Sequence, residues 1–523
     1  MWLPFFFIIF VFNLRDFMSL SVRHLIALTA LAFLPAGLLA QDEDPVLAFK
    51  FETAGMAGSG DHAPFWHTSN RQGLPSVENN NGYAHFAALG GVHRPSGFAA
   101  SYGLDLGAGA GLENNLFVHQ LFVDLNYKWL GMSVGMKERW SDKNRYLSTG
   151  ALTWSGNSQP VPDIRAGIPD YVRIPLLGSW FSVKGHIGYG RLTDDRWRRE
   201  HGGTKYVEGV ILHSKSAFVR FGDYDRFPLQ ITLGLEMSNM FGGTYHVDGT
   251  EERMPSDPEA YWAALFPFHH IGQQGDLDGD NLGSWHLNFD YVLNDWHIGA
   301  YYEHFYEDHS SWLGVEYKND MEGNKDYIFF GFRRNWFDGL FGLEVNAPAD
   351  IRFFRSAVIE FLNTRGMSGP ILHSTPCNTD GMYVIEEIDG RDDMYNHGRY
   401  NSYSHYGYAI GSPVLISPAY NQDNSSRFRS NRVQMFHLGI DGSITDDIDY
   451  RVLATTTRHW GYYGAPLKEI ERVTSLMLEC SYRLGDADDW KFSLSGSMDI
   501  DSGYLIGNNK GVMLTITKFW KVL

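Results

Sequence analysis

The segment Tyr395–Tyr408 contains the densest mixture of aromatic and polar side chains in the sequence. Tyrosine rings present flat apolar faces that stack on sugar rings, while Asn, His and Arg side chains hydrogen-bond to hydroxyl or carboxylate groups. A glycan-binding site needs this combination of residues. A loop whose aromatic side chains pack only against each other would have the same composition, so both interpretations stay open.

A second aromatic patch, Trp460–Tyr463, has two interpretations as well. It suits glycan contact, and it also suits the boundary between a bilayer and water, where Trp and Tyr concentrate. Six residues of the two patches are predicted to bind glycan. They are Arg399, Tyr400, Tyr403, Tyr406, Trp460 and Tyr463.

Other candidate constellations lack an essential part. Asp276–Asn281 resembles the start of an EF-hand loop, but the twelfth position is Leu287 instead of the bidentate Glu, so only incidental Ca²⁺ binding is an alternative to an acidic loop. The histidines form no HExxH zinc motif, and no GxSxG nucleophile turn occurs. We therefore predict no enzyme activity, no catalytic residue, no metal site and no cofactor.

Composition limits the class of protein. The 523 residues carry a net charge of −18, and 15% of them are aromatic. This composition is too apolar for disorder and too acidic for general nucleic-acid binding, and two cysteines cannot form a disulfide framework. A mean hydropathy of −0.27 argues against a bundle of membrane helices. A membrane β-barrel remains open, since its strands alternate apolar and polar residues.

The amino terminus resembles an export signal. Met18 begins a short basic region, Leu25–Leu34 is apolar, and cleavage before Gln41 leaves an acidic mature start. Residues 1–17 are predicted to be an upstream extension, with an additional anchor as the alternative. No linker interrupts the remainder, so residues 41–523 are predicted to form a single domain.

The elements that must position the candidate residues are strands. Trp285–Tyr291 and Leu476–Leu484 alternate apolar and polar side chains, and Phe117–Trp129 does so apart from His119 and Phe122. The longer units have 9–11 residues and end in Trp, as tilted membrane strands do. The length allows about 18–20 strands. A soluble β-sandwich is the alternative.

The connections predict an unequal pair of barrel ends, with short turns on one side and long loops on the other. One long loop contains a predicted helix, Ser256–Phe266, with Ser256 as its N-cap. Glu360, Arg365 and Arg352 are predicted to pair inside the barrel.

Eight segments in order along nearly the whole mature chain resemble the Wzi family of capsule-assembly outer-membrane proteins, in its Bacteroidetes form. They are Ala63–Gly73, Leu147–Leu152, Ser155–Pro162, Asn281–Trp285, Tyr302–Asp308, Glu360–Pro370, Tyr395–Gly398 and Asn431–Val433. Glu307–Ser311 departs from the glycine-rich continuation expected there, so that loop is expected to differ.

The resemblance implies an all-β transmembrane barrel of about 18 antiparallel strands, occluded by small helical or loop elements. It also implies a lectin-like role in holding capsular polysaccharide at the cell surface, without catalysis or cofactor. The expected partners are capsular polysaccharide, outer-membrane lipid and lipopolysaccharide, with no nucleic acid, and the expected state is a monomer. An outer-membrane channel for oligosaccharides or other solutes is the alternative function.

Overall fold

The computed structural model describes a closed barrel of antiparallel strands. The described residues are 46–174, 178–266, 279–307, 315–319, 325–329, 337–366, 372–373, 377–379, 382–384, 387–388, 393–485 and 489–521. The predicted signal segment 1–40, the cleavage before Gln41 and the first half of the acidic run Asp276–Asn281 lie outside these residues. The predicted barrel of about 18 strands is confirmed, since eighteen strands of the described chain form one sheet.

The wall strands are mostly 11–15 residues long. They are β1 Val46–Ser59, β2 Asn81–His93, β3 Phe98–Ala110, β4 Leu116–Tyr127, β5 Leu130–Met136, β6 Pro162–Arg173, β7 Phe181–Arg191, β9 Ile211–Phe221, β10 Leu229–Phe241, β13 Asp280–Leu293, β14 Trp296–Glu307, β17 Gly339–Asn346, β18 Ser356–Asn363, β27 Val433–Ser443, β28 Ile448–Tyr462, β29 Ala465–Leu484, β30 Trp490–Asp501 and β31 Lys510–Lys521.

Short strands and helices occupy the connections. The strands are β8 Lys205–Glu208, β11 Thr244–Val247, β12 Thr250–Arg253, β15 Val315–Asn319, β16 Lys325–Phe329, β19 Leu372–His373, β20 Cys377–Thr379, β21 Met382–Val384, β22 Glu387–Ile388, β23 Asn396–His397, β24 Asn401–Ser402, β25 Ser404–His405 and β26 Tyr408–Ala409. The helices are α1 Phe65–Thr68, α2 Asp195–His201 and α3 Pro258–Leu265, with a 3₁₀ turn at Pro418–Tyr420. Among the described residues, no helix is long and apolar enough to cross a membrane.

The first and last wall strands close the barrel. Strand β1 pairs with β31 in one unbroken register, from Ala48 opposite Lys521 to Ser59 opposite Lys510, and with β2 on its other side. Each wall strand therefore has two neighbours, and the sheet has no open edge to pair with another chain.

The alternation predicted from the sequence separates a lipid face from a lumen face. Along β29, Leu478 is 55% exposed on the outside, whereas Met477 is 3% exposed on the inside. Aromatic side chains ring the lower end, where Trp129 and Trp490 are exposed and Trp520 packs near the ring of Phe49. An apolar outer surface with an aromatic belt is the arrangement that a bilayer requires.

The two ends of the barrel differ as predicted. At the end that holds residue 46, turns are short, such as residues 94–97, 128–129 and 294–295. At the opposite end, the connections include residues 60–80, 137–161 and the long stretch between β18 and β27. Short turns face the periplasm in outer-membrane barrels, so the long connections lie at the outer end.

Three of the outer connections fold back into the lumen. We call residues 60–80, 137–161 and the described part of the third, 393–432, the plug. Its buried side chains, among them Leu152, Tyr395 and Phe428, form an apolar cluster with inward-facing wall residues such as Met240 and Leu282. The predicted occlusion by loop elements is therefore present, and an apolar core fills the outer part of the lumen.

Carboxylates on the wall hold the plug in position. Glu360 of β18 is fully buried and accepts hydrogen bonds from Ser148 Oγ at 2.6 Å, from the Thr149 amide at 2.8 Å and from Tyr301 Oη at 2.5 Å. Buried carboxylates are stable when such donors surround them. The loop 137–161 is thus fixed to the wall by polar contacts as well as by its apolar core.

The predicted pairing of Glu360 with two arginines is wrong. Arg352 pairs with Asp446, and both side chains are largely exposed at the periplasmic turns. The Arg365 guanidinium lies over the Trp460 ring, 4.3 Å from its centroid. Plug hydroxyl and amide groups take the place that the arginines were expected to fill. The alternation of residues along a strand does not show which loop will pack against it in the lumen.

The helix predicted at Ser256–Phe266 is present as α3, but its N-cap is Asp257 and not Ser256. The Asp257 carboxylate accepts a hydrogen bond from the Ala260 amide at 3.0 Å, and Pro258 takes the first helical position. Pro at that position has no amide that needs a partner, which makes the preceding residue the natural cap.

Beneath the plug, a polar cavity of about 430 Å³ lies against the wall. Its lining includes Asp142 and Lys143 from the plug and Lys184, Asp290 and Glu344 from the wall. Lys184 Nζ and Asp142 Oδ1 are 2.6 Å apart, so an ion pair joins the lowest part of the plug to strand β7.

Candidate functional site

The outer rim of the barrel carries a folded surface that we call the outer crown. It consists of helix α2, the three-stranded sheet β8, β11 and β12, and two hairpins at the outer side of the plug, β23–β24 and β25–β26. These hairpins include the Tyr395–Tyr408 segment singled out in the sequence. Of the six predicted glycan-binding residues, Arg399 and Tyr406 meet the outer solvent on this crown.

A buried ion pair fixes the crown. Arg198 of α2 and Asp194 are 3% and 0% exposed, with Nε and Oδ1 2.8 Å apart. The Arg198 guanidinium also donates to the carbonyls of Tyr400 and Ser404 at 3.2 and 2.7 Å. A planar guanidinium satisfies several acceptors at once, so this single side chain joins α2 to both hairpins.

The β25–β26 hairpin presents Tyr406 at its tip. Tyr406 and Gly407 both have positive φ, 51° and 77°, as a two-residue type I′ turn requires. A bulky residue rarely adopts this conformation, and such strain tends to occur at functional sites. Asp194 accepts the Tyr406 amide at 3.0 Å, and the Tyr406 hydroxyl donates to the Thr193 carbonyl at 2.9 Å, which fixes the half-buried ring at the surface.

Two stacked aromatic pairs lie in the crown, and Trp197 of the first pair is buried, 7% exposed. The rings of Trp197 and His201 stack at 4.5 Å, and those of Tyr206 and His246 at 4.6 Å. A Cβ on Gly407 would lie 2.6 Å from the Trp197 ring, so the turn and the first pair are in contact. These four residues were not predicted, although the Trp197–His201 spacing of one helical turn was a readable signal.

The charges of the crown alternate in sign. Arg196 pairs with Glu200 at 2.9 Å, and Arg399 lies 3.4 Å from Glu252 and 5.7 Å from the Tyr245 ring centroid. Exposed ion pairs of this kind contribute little to stability. The arginines donate hydrogen bonds and the glutamates accept them. A hydroxyl group can do both, so these side chains suit a hydroxyl-rich polymer.

The structure divides the six predicted residues into groups. Tyr400 and Tyr403 lie in the core, 1% and 0% exposed, and the Tyr403 hydroxyl donates to the Thr153 carbonyl of the plug at 2.9 Å. Their rings have no face open to a polymer in this arrangement and act as packing. Arg399 and Tyr406 lie on the crown, where solvent reaches them.

Trp460 and Tyr463 lie on a different part of the rim, at the β28–β29 turn. Tyr463 is 41% exposed, while Trp460 is partly covered by the Arg365 guanidinium. Trp460 shares its face of β28 with the lipid-facing positions, which favours the interfacial interpretation of that ring. Glycan contact at these two residues stays a prediction.

One carboxyl of the crown region titrates near neutrality. Glu113 lies between β3 and β4 at the outer end, and burial together with the nearby Asp194 carboxylate raises its pKa to about 7. Because the ordinary value is 4.5, the folded state binds more protons than the unfolded chain between these two values. The protonated Glu113 therefore contributes to the stability of the fold. That contribution is fully present below pH 4.5 and is lost as the pH rises through about 7.

We therefore expect Glu113→Gln to raise the melting temperature at pH about 8 and to change it little at pH about 5, since the variant removes the buried charge that forms above neutrality. Thermal unfolding of the purified protein in detergent at the two pH values measures this. Glu469→Gln, an exposed carboxylate on β29, is the control. Equal shifts of both variants at both pH values would contradict the assignment.

One group of side chains in the described chain has the spacing to hold a metal ion, namely Asp105, His119 and Glu138. It lies in the barrel lumen, apart from the crown. In the EF-hand-like run, Asp280 and Asn281 are described, and both are buried in β13.

No protein-family profile matches the chain. No curated protein is significantly similar to it. Among solved structures, the Escherichia coli Wzi outer-membrane protein superposes with a TM-score of 0.55 at 12% identity over 95% of this chain and 88% of its own. Wzi is described as a carbohydrate-binding β-barrel involved in group 1 capsule assembly.

Two further solved structures also align with the barrel. Pseudomonas aeruginosa OccD3 has a TM-score of 0.45 at 8% identity, covering 92% of each chain, and OprD has 0.42 at 9%, covering 92% of this chain and 96% of its own. At these identities the similarity concerns the fold alone. The chain has the fold of a bacterial outer-membrane β-barrel.

Proposed function

We propose that this protein binds capsular or exopolysaccharide at the cell surface and helps to attach it there. The observation that carries the proposal is the outer crown, in which Tyr406 stands on a strained turn beside the Trp197–His201 stack and alternating charges. The partly exposed ring of Tyr406 supplies a stacking face, and Arg399 supplies a cation for acidic sugars. No catalytic step and no cofactor are part of the proposal.

Binding through one crown would be weak, because a partly exposed ring and a few hydrogen bonds contribute only a few kcal/mol. A polymer with repeating units engages many copies of the protein in one membrane, so the combined attachment is strong. The proposed partners are therefore the polysaccharide together with outer-membrane lipid and lipopolysaccharide, and each copy is proposed to act as a monomer.

The similarity in fold to the Escherichia coli Wzi structure also supports the proposal, since that protein is described as carbohydrate-binding. Membership of the Wzi family, in its Bacteroidetes form, is part of the proposal. It rests on the eight sequence segments and on the shared barrel.

A strain without this protein is expected to make normal amounts of polymer but to release it into the medium, because the attachment is lost and synthesis is not. The ratio of cell-bound to released polymer measures this. Complementation with the triple variant Arg399→Ala, Tyr406→Ala and Tyr463→Ala is expected to restore less than half of the retention. Tyr403→Phe, which keeps the buried ring, is the matched control and should restore it. Unchanged retention in the deletion strain would refute the proposal.

The alternative function is a channel for oligosaccharides or other solutes. The polar cavity beneath the plug favours it, since its lining of charged groups is typical of a solute path. The apolar core of the plug stands between this cavity and the outer end. Conductance in planar bilayers distinguishes the two functions.

A further inference from the structure

A group of imidazoles and carboxylates lies on the lumen face of the first five strands. It comprises Glu52 on β1, His85 on β2, Asp105 on β3, His119 on β4 and Glu138, two residues beyond the end of β5. The side chains of His85, Asp105 and His119 are each 1% exposed, whereas Glu138 is 26% exposed. The group is therefore buried on the wall side and accessible from the lumen.

Three of these side chains converge. One ligand atom each from Asp105, His119 and Glu138 lies within 4.8 Å of the other two. His119 Nε2 and Glu138 Oε1 are 3.0 Å apart, and His85 Nδ1 is 2.9 Å from both oxygens of Asp105. Imidazole nitrogens and carboxylate oxygens at this spacing are the ligands that divalent transition metals take in proteins.

A break in the strand register aims His119 at the group. Asp105 pairs with Gln120 and Leu106 pairs with Val118, which leaves His119 as the extra residue of a β-bulge. The bulge explains why His119 interrupts the apolar alternation noticed in the sequence. Bulges change the direction of a side chain and are frequent beside functional sites. The bulge is a feature of the backbone, so it supports a site at His119 independently of the side-chain distances.

The surrounding contacts orient the ligand atoms. Gln120 donates from Nε2 to Asp105 Oδ2 at 3.4 Å and accepts the Glu138 amide at 3.1 Å, so one side chain contacts two ligands. His85 contacts Asp105 on one side and Glu52 at 3.5 Å on the other. Outer partners of this kind fix ligands and adjust metal affinity.

The charge of the group leaves room for a cation. Three carboxylates, Glu52, Asp105 and Glu138, face one ammonium, that of Lys50, which is 2.9 Å from Glu52. Buried carboxylates that outnumber the ammonium groups beside them are costly. In addition, His119 Nδ1 has no hydrogen-bond partner among the described residues. A divalent cation would neutralise the group.

We propose that Asp105, His119 and Glu138 bind a divalent first-row transition-metal ion such as Zn²⁺, with His85 and Gln120 as orienting residues. The site joins β3 and β4 to the start of the plug loop 137–161, so the metal ties the plug to the wall. It is independent of glycan binding on the crown. The ligands come from consecutive strands and form no short motif of fixed spacing, which is why the sequence predicted no metal site.

Isothermal titration of the folded, chelator-treated protein with Zn²⁺ tests the site. We expect one ion per chain with a micromolar or lower Kd. Asp105→Asn and His119→Gln should each raise that Kd about 100-fold or more, because loss of an orienting partner alone costs about 10–100-fold. Both replacements are close in shape to the native side chain. The heat-modifiable mobility of the barrel on a gel confirms that each variant has folded.

His246→Gln is the matched control. His246 lies 3.7 Å from Glu208 and 3.6 Å from Glu251 on the crown, so it has the same residue types around it at a partly buried position. Its substitution should leave the Kd unchanged. Absence of stoichiometric Zn²⁺ binding, or binding that survives His119→Gln, would overturn the proposal. Titration with Co²⁺ gives a visible absorption band that is expected to vanish in the same variants.

Discussion

Substitution of Glu303 by Gln is expected to lower the free energy of unfolding by about 3–5 kcal/mol, the largest loss for any single change considered in this protein. Glu303 on β14 is 1% exposed and faces Lys143 of the plug, which is 9% exposed, with Nζ and Oε2 2.5 Å apart. The substitution leaves the ammonium in the lumen without its counter-charge.

The same carboxylate accepts two further hydrogen bonds. The Leu152 amide and Ser284 Oγ donate to Glu303 Oε1, each at 2.8 Å. An uncharged amide replaces these acceptors only in part, and each unsatisfied buried donor costs about 1–3 kcal/mol. The loss is therefore expected to exceed that of a simple surface ion pair, which is at most about 1 kcal/mol.

Urea unfolding of the barrel in lipid vesicles, followed by tryptophan fluorescence, measures the difference. Adding Lys143→Met to Glu303→Gln should recover part of the loss, because the unpaired charge is then absent. Glu251→Gln, whose side chain is 71% exposed beside His246, is the control and should change stability by less than about 0.5 kcal/mol. A loss below about 1 kcal/mol for Glu303→Gln would mean that water reaches Lys143.

The second large effect concerns conduction. The intact protein is expected to show no steady current in planar bilayers, because the apolar core of the plug fills the lumen. Replacing residues 142–153 by a short Gly-Ser linker should open a stable conductance. Barrels of 16–18 strands enclose an aqueous channel when the lumen is not filled.

The control for this deletion is a shortened β11–β12 hairpin, which changes the crown and leaves the plug intact. Single-channel recording of the three proteins distinguishes the functions. A steady current through the intact protein would favour the channel over the surface-binding function. A folded deletion variant without current would show that residues 142–153 are not the barrier.

The wall was predictable because each strand repeats the same local rule. Alternation in Trp285–Tyr291 and Leu476–Leu484 follows from having lipid on one side and a polar lumen on the other. The strand number followed from the chain length and the length of each unit. His119 appeared only as an exception to the alternation, and its meaning depended on the register of the neighbouring strand, which a single strand's sequence does not contain.

The site was less predictable, because burial depends on where an irregular loop travels. Tyr403 and Tyr406 have the same chemistry and lie three residues apart, yet one is fully buried and the other stands on a turn at the surface. Only the fold of the plug separates them. Likewise, the sequence around Glu360 does not show that its hydrogen-bond partners are hydroxyl and amide groups more than two hundred residues earlier in the chain.

Closure of the wall by β1 and β31 has a consequence for the speed and order of folding. The final pairing joins residues near opposite ends of the described chain, and plug contacts span similar distances, as between the Phe65 amide and Asp499, 434 residues apart. Contacts so distant in sequence form slowly, since a long loop must first be closed. During that interval β1 and β31 each lack a partner and offer an open edge to other chains. The assembling chain is therefore open to pairing with other chains until its two ends have met.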